Sequence, residues 1–94
     1  MPAVTVRYHN ILRSAVGLAE ESVPLPENAA LYGLLEALAE ARGSPLGEML
    51  LKADGSVVSH LVMFVNRKLI TGDPRSVPLA DGDEILLFPS VSGG

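Results

Sequence analysis

The sequence predicts an α+β domain: a mixed sheet of four to five strands packed on one main helix, with a short helix beside it. Three observations carry this expectation. Leu31, Leu34, Leu35 and Leu38 recur at i, i+3, i+4 and i+7, a single apolar face at helical period. Val4-Thr5-Val6-Arg7-Tyr8 alternates and is rich in β-branched and aromatic residues. Leu61–Val65 and Ile85–Phe88 are unbroken apolar runs of strand length.

Taken in order, Val4–Tyr8 is a first strand and the segment Asn10–Ala19, which holds Gly17, is a connecting loop. Ser22–Leu25 is a second, short strand, which Pro24 confines to an edge or a strand end. Pro26 breaks the chain, and Glu27 or Asn28 offers an oxygen to the first amides of the main helix. Arg42, Gly43 and Pro45 together form its stop signal. Gly33 inside that helix weakens it by up to ~1 kcal/mol against alanine, and a close approach to the sheet is one explanation for it. Ser44-Pro45 begins the shorter helix, with Leu46, Met49 and Leu50 on one face.

Asp54-Gly55 makes a turn, and Leu61–Val65 reads as a central strand buried on both faces. Asn66-Arg67-Lys68 turns the chain into Leu69-Ile70. Gly72-Asp73-Pro74 opens a loop through Ser76, and Leu79 anchors the chain before the Asp81-Gly82 turn and the last strand. With no repeats and no linker, the chain divides into one domain, 1–88, and a flexible tail, 89–94, ending in Gly-Gly.

The order is therefore strand, strand, helix, short helix, strand, short strand, strand. Such a sheet closes only by a non-local pairing, with Val4–Tyr8 beside Ile85–Phe88 and the helix across one face. That arrangement is a β-grasp, or ubiquitin-like, fold. It sends the C-terminal tail out from a central strand.

Composition narrows the function. A net charge of −4 and a pI near 4.9 argue against a nucleic-acid surface, which needs clustered Lys and Arg. No apolar run approaches the ~20 residues of a membrane span, and Met1-Pro2-Ala3-Val4 lacks a signal-peptide pattern, so a cytoplasmic protein is expected. Cysteine is absent, which excludes disulfides, thiolate metal sites and a cysteine nucleophile. Sulfur chemistry here would have to hold its sulfur on something other than a thiol.

No phosphate-binding, dinucleotide-binding, nucleophile-elbow or zinc-protease motif is present. His9 and His60 read as surface or strand-end residues, Asp81, Asp83 and Glu84 as turn residues rather than metal ligands, and Arg67-Lys68 as a solvated turn. An autonomous enzyme finds no support. What remains is the terminal carboxylate, which reacts with nucleophiles only after an oxygen is made a leaving group. Gly93 and Gly94 lack Cβ, so this backbone can thread a narrow pocket. The six residues after Phe88 reach about 20 Å when extended.

Val65-Asn66, Pro78-Leu79, Asp81-Gly82-Asp83-Glu84 and above all Phe88-Pro89-Ser90-Val91-Ser92-Gly93-Gly94 resemble a known family. The chain is similar to the MoaD/ThiS group of ubiquitin-like sulfur carriers, and the F-P-x-V-x-G-G tail resembles the small subunit of molybdopterin synthase. Arg13 followed by Gly17 matches that branch. A longer Thr71–Val77 loop departs from it, as does Tyr8-His9 where two aromatics are common.

The resemblance implies that an E1-like adenylyltransferase activates Gly94 with ATP. A sulfur donor such as a cysteine desulfurase or rhodanese then converts it to a thiocarboxylate. The large synthase subunit would receive the tail and pass its sulfur to a pyranopterin precursor. Phe88, Leu69 and Arg13 would lie on the docking face, Pro89, Val91 and Ser92 in the inserted tail, and Gly93 and Gly94 at the reacting end. No cofactor would be stably bound, ATP being used by the activating partner. The alternatives are a carrier for thiamine or tRNA thiolation, a ubiquitin-like protein modifier, and an interaction domain with an inert tail.

Overall fold

The computed structural model describes residues 2–9, 11–43 and 46–89. Five strands form one sheet in the order β2-β1-β5-β3-β4. The strands are β1 (Ala3–Tyr8), β2 (Glu20–Pro24), β3 (Leu61–Val65), β4 (Lys68–Leu69) and β5 (Glu84–Pro89). Three helices accompany them: α1 (Ile11–Val16), α2 (Leu31–Arg42) and α3 (Leu46–Leu50), together with a 3-10 turn over Pro74–Ser76.

The expected non-local pairing is present. β1 runs parallel to β5, with Thr5 opposite Glu84 and Tyr8 opposite Leu87, while β3 pairs with β5 antiparallel. Alternation along the strands sends Val4, Val6, Tyr8, Met63, Ile85 and Leu87 to one face. There they meet Leu31, Leu34, Leu35 and Leu38 of α2, each at most 3 % exposed, to form the core.

Several local expectations need correction. The segment 10–19 is not a loop: α1 occupies Ile11–Val16, with Leu12 fully buried and Gly17, at φ +85°, closing it by a bond from its N–H to the Arg13 carbonyl. Asn10, where that segment was expected to start, lies outside the described residues. β2 begins at Glu20 and ends at Pro24, because its antiparallel register to β1, not its own apolar content, fixes its length.

Helix α2 begins at Leu31 rather than near Glu27 or Asn28. Asn28 stands in the left-handed region at φ +62°, and the Leu31 N–H donates to the Val77 carbonyl, so backbone replaces a side-chain cap. A Cβ on Gly33 would meet nothing within 4 Å, so a close approach to the sheet does not explain that glycine. The Ser44-Pro45 start of the second helix lies outside the described residues, and α3 buries Leu46 and Leu50 with Met49 only partly covered.

β3 differs in a way that matters for function. It is central in hydrogen bonding, but only Leu61, Met63 and Val65 are buried; Val62 and Phe64 face away from the helices and are half-exposed.

The edge strand is fastened to the helix by a polar cluster. Tyr8 donates its hydroxyl to Glu21 of β2, and Arg42 in the last turn of α2 grips the same carboxylate at 2.6 and 3.1 Å. Burial pushes the Tyr8 phenol well above its usual range, helped by the Glu21 carboxylate beside it. Burial alone would raise the Glu21 carboxyl, but hydrogen bonds from Arg42 and Tyr8, with the Arg42 charge, outweigh it and hold Glu21 below its usual value. A carboxylate depressed in the folded state contributes stability above its unfolded pKa, and that contribution drains as pH falls through the lowered folded value. Arg42→Ala is therefore expected to cost about 1–3 kcal/mol at pH 7 in urea unfolding. The variant should also lose less stability than the parent chain between about pH 5 and pH 3; parallel acid limbs in the two proteins would refute the clamp.

Candidate functional site

The site follows from where β5 sits and how it alternates. As the third of five strands it lies at the sheet's centre, with Ile85, Leu87 and Pro89 inward and Glu84, Leu86 and Phe88 outward. The start of β5 is held firmly. Asp81 accepts from the Ala3 N–H at 2.8 Å, Asp83 accepts from the Ala80 N–H and the Asn66 amide, and the Asn66 side-chain oxygen accepts from the Glu84 N–H at 2.9 Å. The acidic cluster is thus a set of turn and strand clasps, with Gly82 in the left-handed region at φ +88°.

Register places the outward side chains in rows across the sheet. Glu20, Arg7, Leu86, Phe64 and Leu69 stand opposite one another in succession, and Val62 faces Phe88 in the next row. The Phe64 and Phe88 rings stack with centroids 6.1 Å apart and planes inclined by 14°, and His9 lies 6.3 Å from Phe88 at a tilt. Leu69 is 50 % exposed and Ile11, just past the end of β1, is 58 % exposed.

The result is a contiguous apolar face that none of the described helices covers. Faces of this kind on soluble proteins mark interaction sites. Over Leu86 the face dips into a hollow of about 380 Å³ walled by Arg7, His9, Phe64, Arg67 and Glu84. Arg7 is held between Glu20 at 3.6 Å and Glu84 at 3.3 Å. A larger hollow, about 700 Å³ between β2 and the C-terminal half of α2, contains no residue of β5 and is crossed by the Arg42–Glu21 pair.

The predicted site residues fall into four groups. Phe88 and Leu69 are both on the open face, not in the core. Arg13 is exposed on α1 and does not line the hollow. Pro89, expected in the tail, is the buried last residue of β5, opposite Leu61. Val91, Ser92, Gly93 and Gly94 lie outside the described residues. Val62, Phe64, Leu86 and Arg7 were not singled out from sequence, and Arg67 was read only as part of a solvated turn. The signal for Val62, Phe64 and Leu86 is the unbroken apolar character of β3 and β5, more than a sheet covered on one side requires.

A mixed sheet in the order β2-β1-β5-β3-β4, with β1 parallel to β5 and α2 packed across one face, defines the class: a β-grasp, ubiquitin-like domain. The profile of the ThiS family matches residues 6–94, and the chain belongs to this family of ubiquitin-like sulfur carriers, small proteins that work with partner enzymes and are generally not catalysts themselves. Among curated proteins none matches. Solved structures do. SAMP1 from Haloferax volcanii is 27 % identical with a TM-score of 0.82, covering 98 % of this chain and 99 % of that one. A putative molybdopterin converting factor, subunit 1, from Pyrococcus furiosus is 26 % identical with a TM-score of 0.76, covering 97 % and 100 %. CysO from Mycobacterium tuberculosis is 25 % identical with a TM-score of 0.69, covering 94 % and 99 %. Among the described residues no helix is long and apolar enough to cross a membrane.

Position on the open face separates surface from stability. Leu87→Ala is expected to cost about 2–5 kcal/mol, as for a fully buried leucine. Phe88→Ala should cost only about 1–1.5 kcal/mol, the worth of a ring pair on an exposed face. Urea unfolding of the two variants checks this, and equal losses would place Phe88 in the core after all.

Proposed function

We propose that this chain is the sulfur-carrying small subunit of a molybdopterin synthase. The observation that carries the reading is the F-P-x-V-x-G-G run, whose Phe88 and Pro89 close the central strand β5. The likeness to the Pyrococcus furiosus protein supports it. The Gly94 carboxylate is activated with ATP by an E1-like adenylyltransferase, which releases pyrophosphate. The terminal sulfur of a persulfide on a cysteine desulfurase or rhodanese then attacks the acyl adenylate and expels AMP. A second thiol cleaves the resulting acyl disulfide, leaving the thiocarboxylate on Gly94 and a disulfide on the donor side. The absence of cysteine from the chain agrees with a carrier whose sulfur sits on its terminus.

Phe88 and Leu69 dock on the large, catalytic subunit, with Arg13 at the margin. Pro89 stays in the sheet, so the inserted segment is the five residues 90–94, about 17 Å when extended. Val91 and Ser92 line the path and Gly93-Gly94 delivers the sulfur.

A second reading, a ubiquitin-like protein modifier, is favoured by the likeness to SAMP1, a protein described as a small archaeal modifier. The two are separable. In a reconstituted synthase, deleting Gly94 is expected to abolish conversion of the pyranopterin precursor, while Phe88→Ala lowers it at least tenfold at limiting carrier. Conversion unchanged by the deletion would rule out the carrier role. Conjugates on immunoblots that vanish with Gly94 would support the modifier, and rescue only of strains deficient in thiamine or tRNA thiolation would redirect the sulfur to those acceptors.

A further inference from the structure

Arg67 occupies a position that its own conformation makes costly. β3 and β4 are joined by two residues, Asn66 and Arg67, with Val65 opposite Lys68. Both loop residues have positive φ, +50° and +71°, the geometry of a tight hairpin turn whose second place normally goes to glycine. Asparagine tolerates the left-handed region, but arginine gains nothing from it. A residue kept in a disfavoured conformation where glycine would serve better points to a use for its side chain.

Arg67 lines the hollow over Leu86 together with Arg7, His9, Phe64 and Glu84. Arg7 is already matched by Glu20 and Glu84, whereas no ion pair of Arg67 is recorded among the described residues. Arg67 is thus the unmatched cation of this hollow among the described residues. The hollow lies within the apolar face, with Leu86 at its floor one row from Phe88.

We propose that this hollow seats a carboxylate side chain of the E1-like enzyme that adenylates the tail, gripped by Arg67. The partner's docking surface is then an apolar patch with an aspartate or glutamate near its middle. The proposal rests on the carrier reading above, and it adds the chemistry by which the partner is recognised. Once Phe88, Phe64, Leu86 and Leu69 are covered, water leaves the hollow. A charge-assisted bond there gains strength and selects against partners that bring an apolar or basic residue to that point. Glu84 opposes a second carboxylate, which limits the hollow to one.

The test uses the full chain and an E1-like adenylating enzyme, with binding followed by calorimetry and activation by ATP-dependent pyrophosphate release. Arg67→Gly converts the turn to Asn-Gly, so its melting temperature should equal or exceed that of the parent chain while the Kd rises at least tenfold. Arg67→Glu should weaken binding further, Arg67→Lys should recover part of it, and Lys52→Glu, an equal change of charge outside the hollow, should stay within twofold. The parent's Kd should also rise with salt more steeply than that of Arg67→Gly. If Arg67→Gly and Arg67→Glu bind within twofold of the parent, which itself binds and is activated, the carboxylate seat is wrong and the carrier reading stands. If the parent chain neither binds nor is activated, the carrier reading fails and takes this proposal with it.

Discussion

The parallel pairing of β1 with β5 is the constraint on which the rest of this molecule depends. It joins residues 5–8 to residues 84–87, so nearly the whole chain is the loop that must close before any of its ladder forms. Backbone bonds from Thr5 to Asp83 and from Gly82 to Ala3, with the Asp81 side chain on the Ala3 amide, secure the near end of this seam. Because β1 and β3 flank β5, this strand is central rather than an edge through to Pro89.

The same pairing creates the uncovered face. All three helices and the buried side chains lie to one side of the sheet or at its ends, leaving Val62, Phe64, Leu86 and Phe88 outward in adjacent rows. Such a face invites self-association, and the chain limits this with charge: Arg7, Glu20 and Glu84 interrupt the apolar surface, and β4 is only two residues long. Stability is invested on the opposite side, where the leucines of α2 meet the sheet and the Tyr8–Glu21–Arg42 cluster fastens the edge strand. Recognition and stability are thereby held by different residues of the same strands.

Much of this was legible in the sequence because it follows from periodicity. The α2 leucines, the alternation of β1 and the apolar run of β5 gave element types, order and the closing pairing. What escaped has physical reasons. Helix α1 is short, and its evidence is only Leu12 and Val16 one turn apart with Gly17 closing them. The start of α2 is set by the Val77 carbonyl, a partner remote in sequence that no capping rule could supply. The run Leu61–Val65 was read as burial on both faces, since apolar residues look alike whether a helix of the same chain or a partner covers them. Phe88 and Leu69 were found through family resemblance. Arg67 needed the backbone angle, which sequence does not display.

The central claim is that sulfur travels on the terminal carboxylate that follows a central strand. The intact mass of the full chain, after incubation with ATP, an E1-like adenylating enzyme, a persulfide donor and a thiol reductant, tests this most directly. A carrier becomes heavier by the difference between sulfur and oxygen, with the change confined to a C-terminal peptide containing Gly94 and absent when Gly94 is deleted. An unchanged mass, while the same enzyme and donor thiocarboxylate another ThiS-family protein, would contradict it.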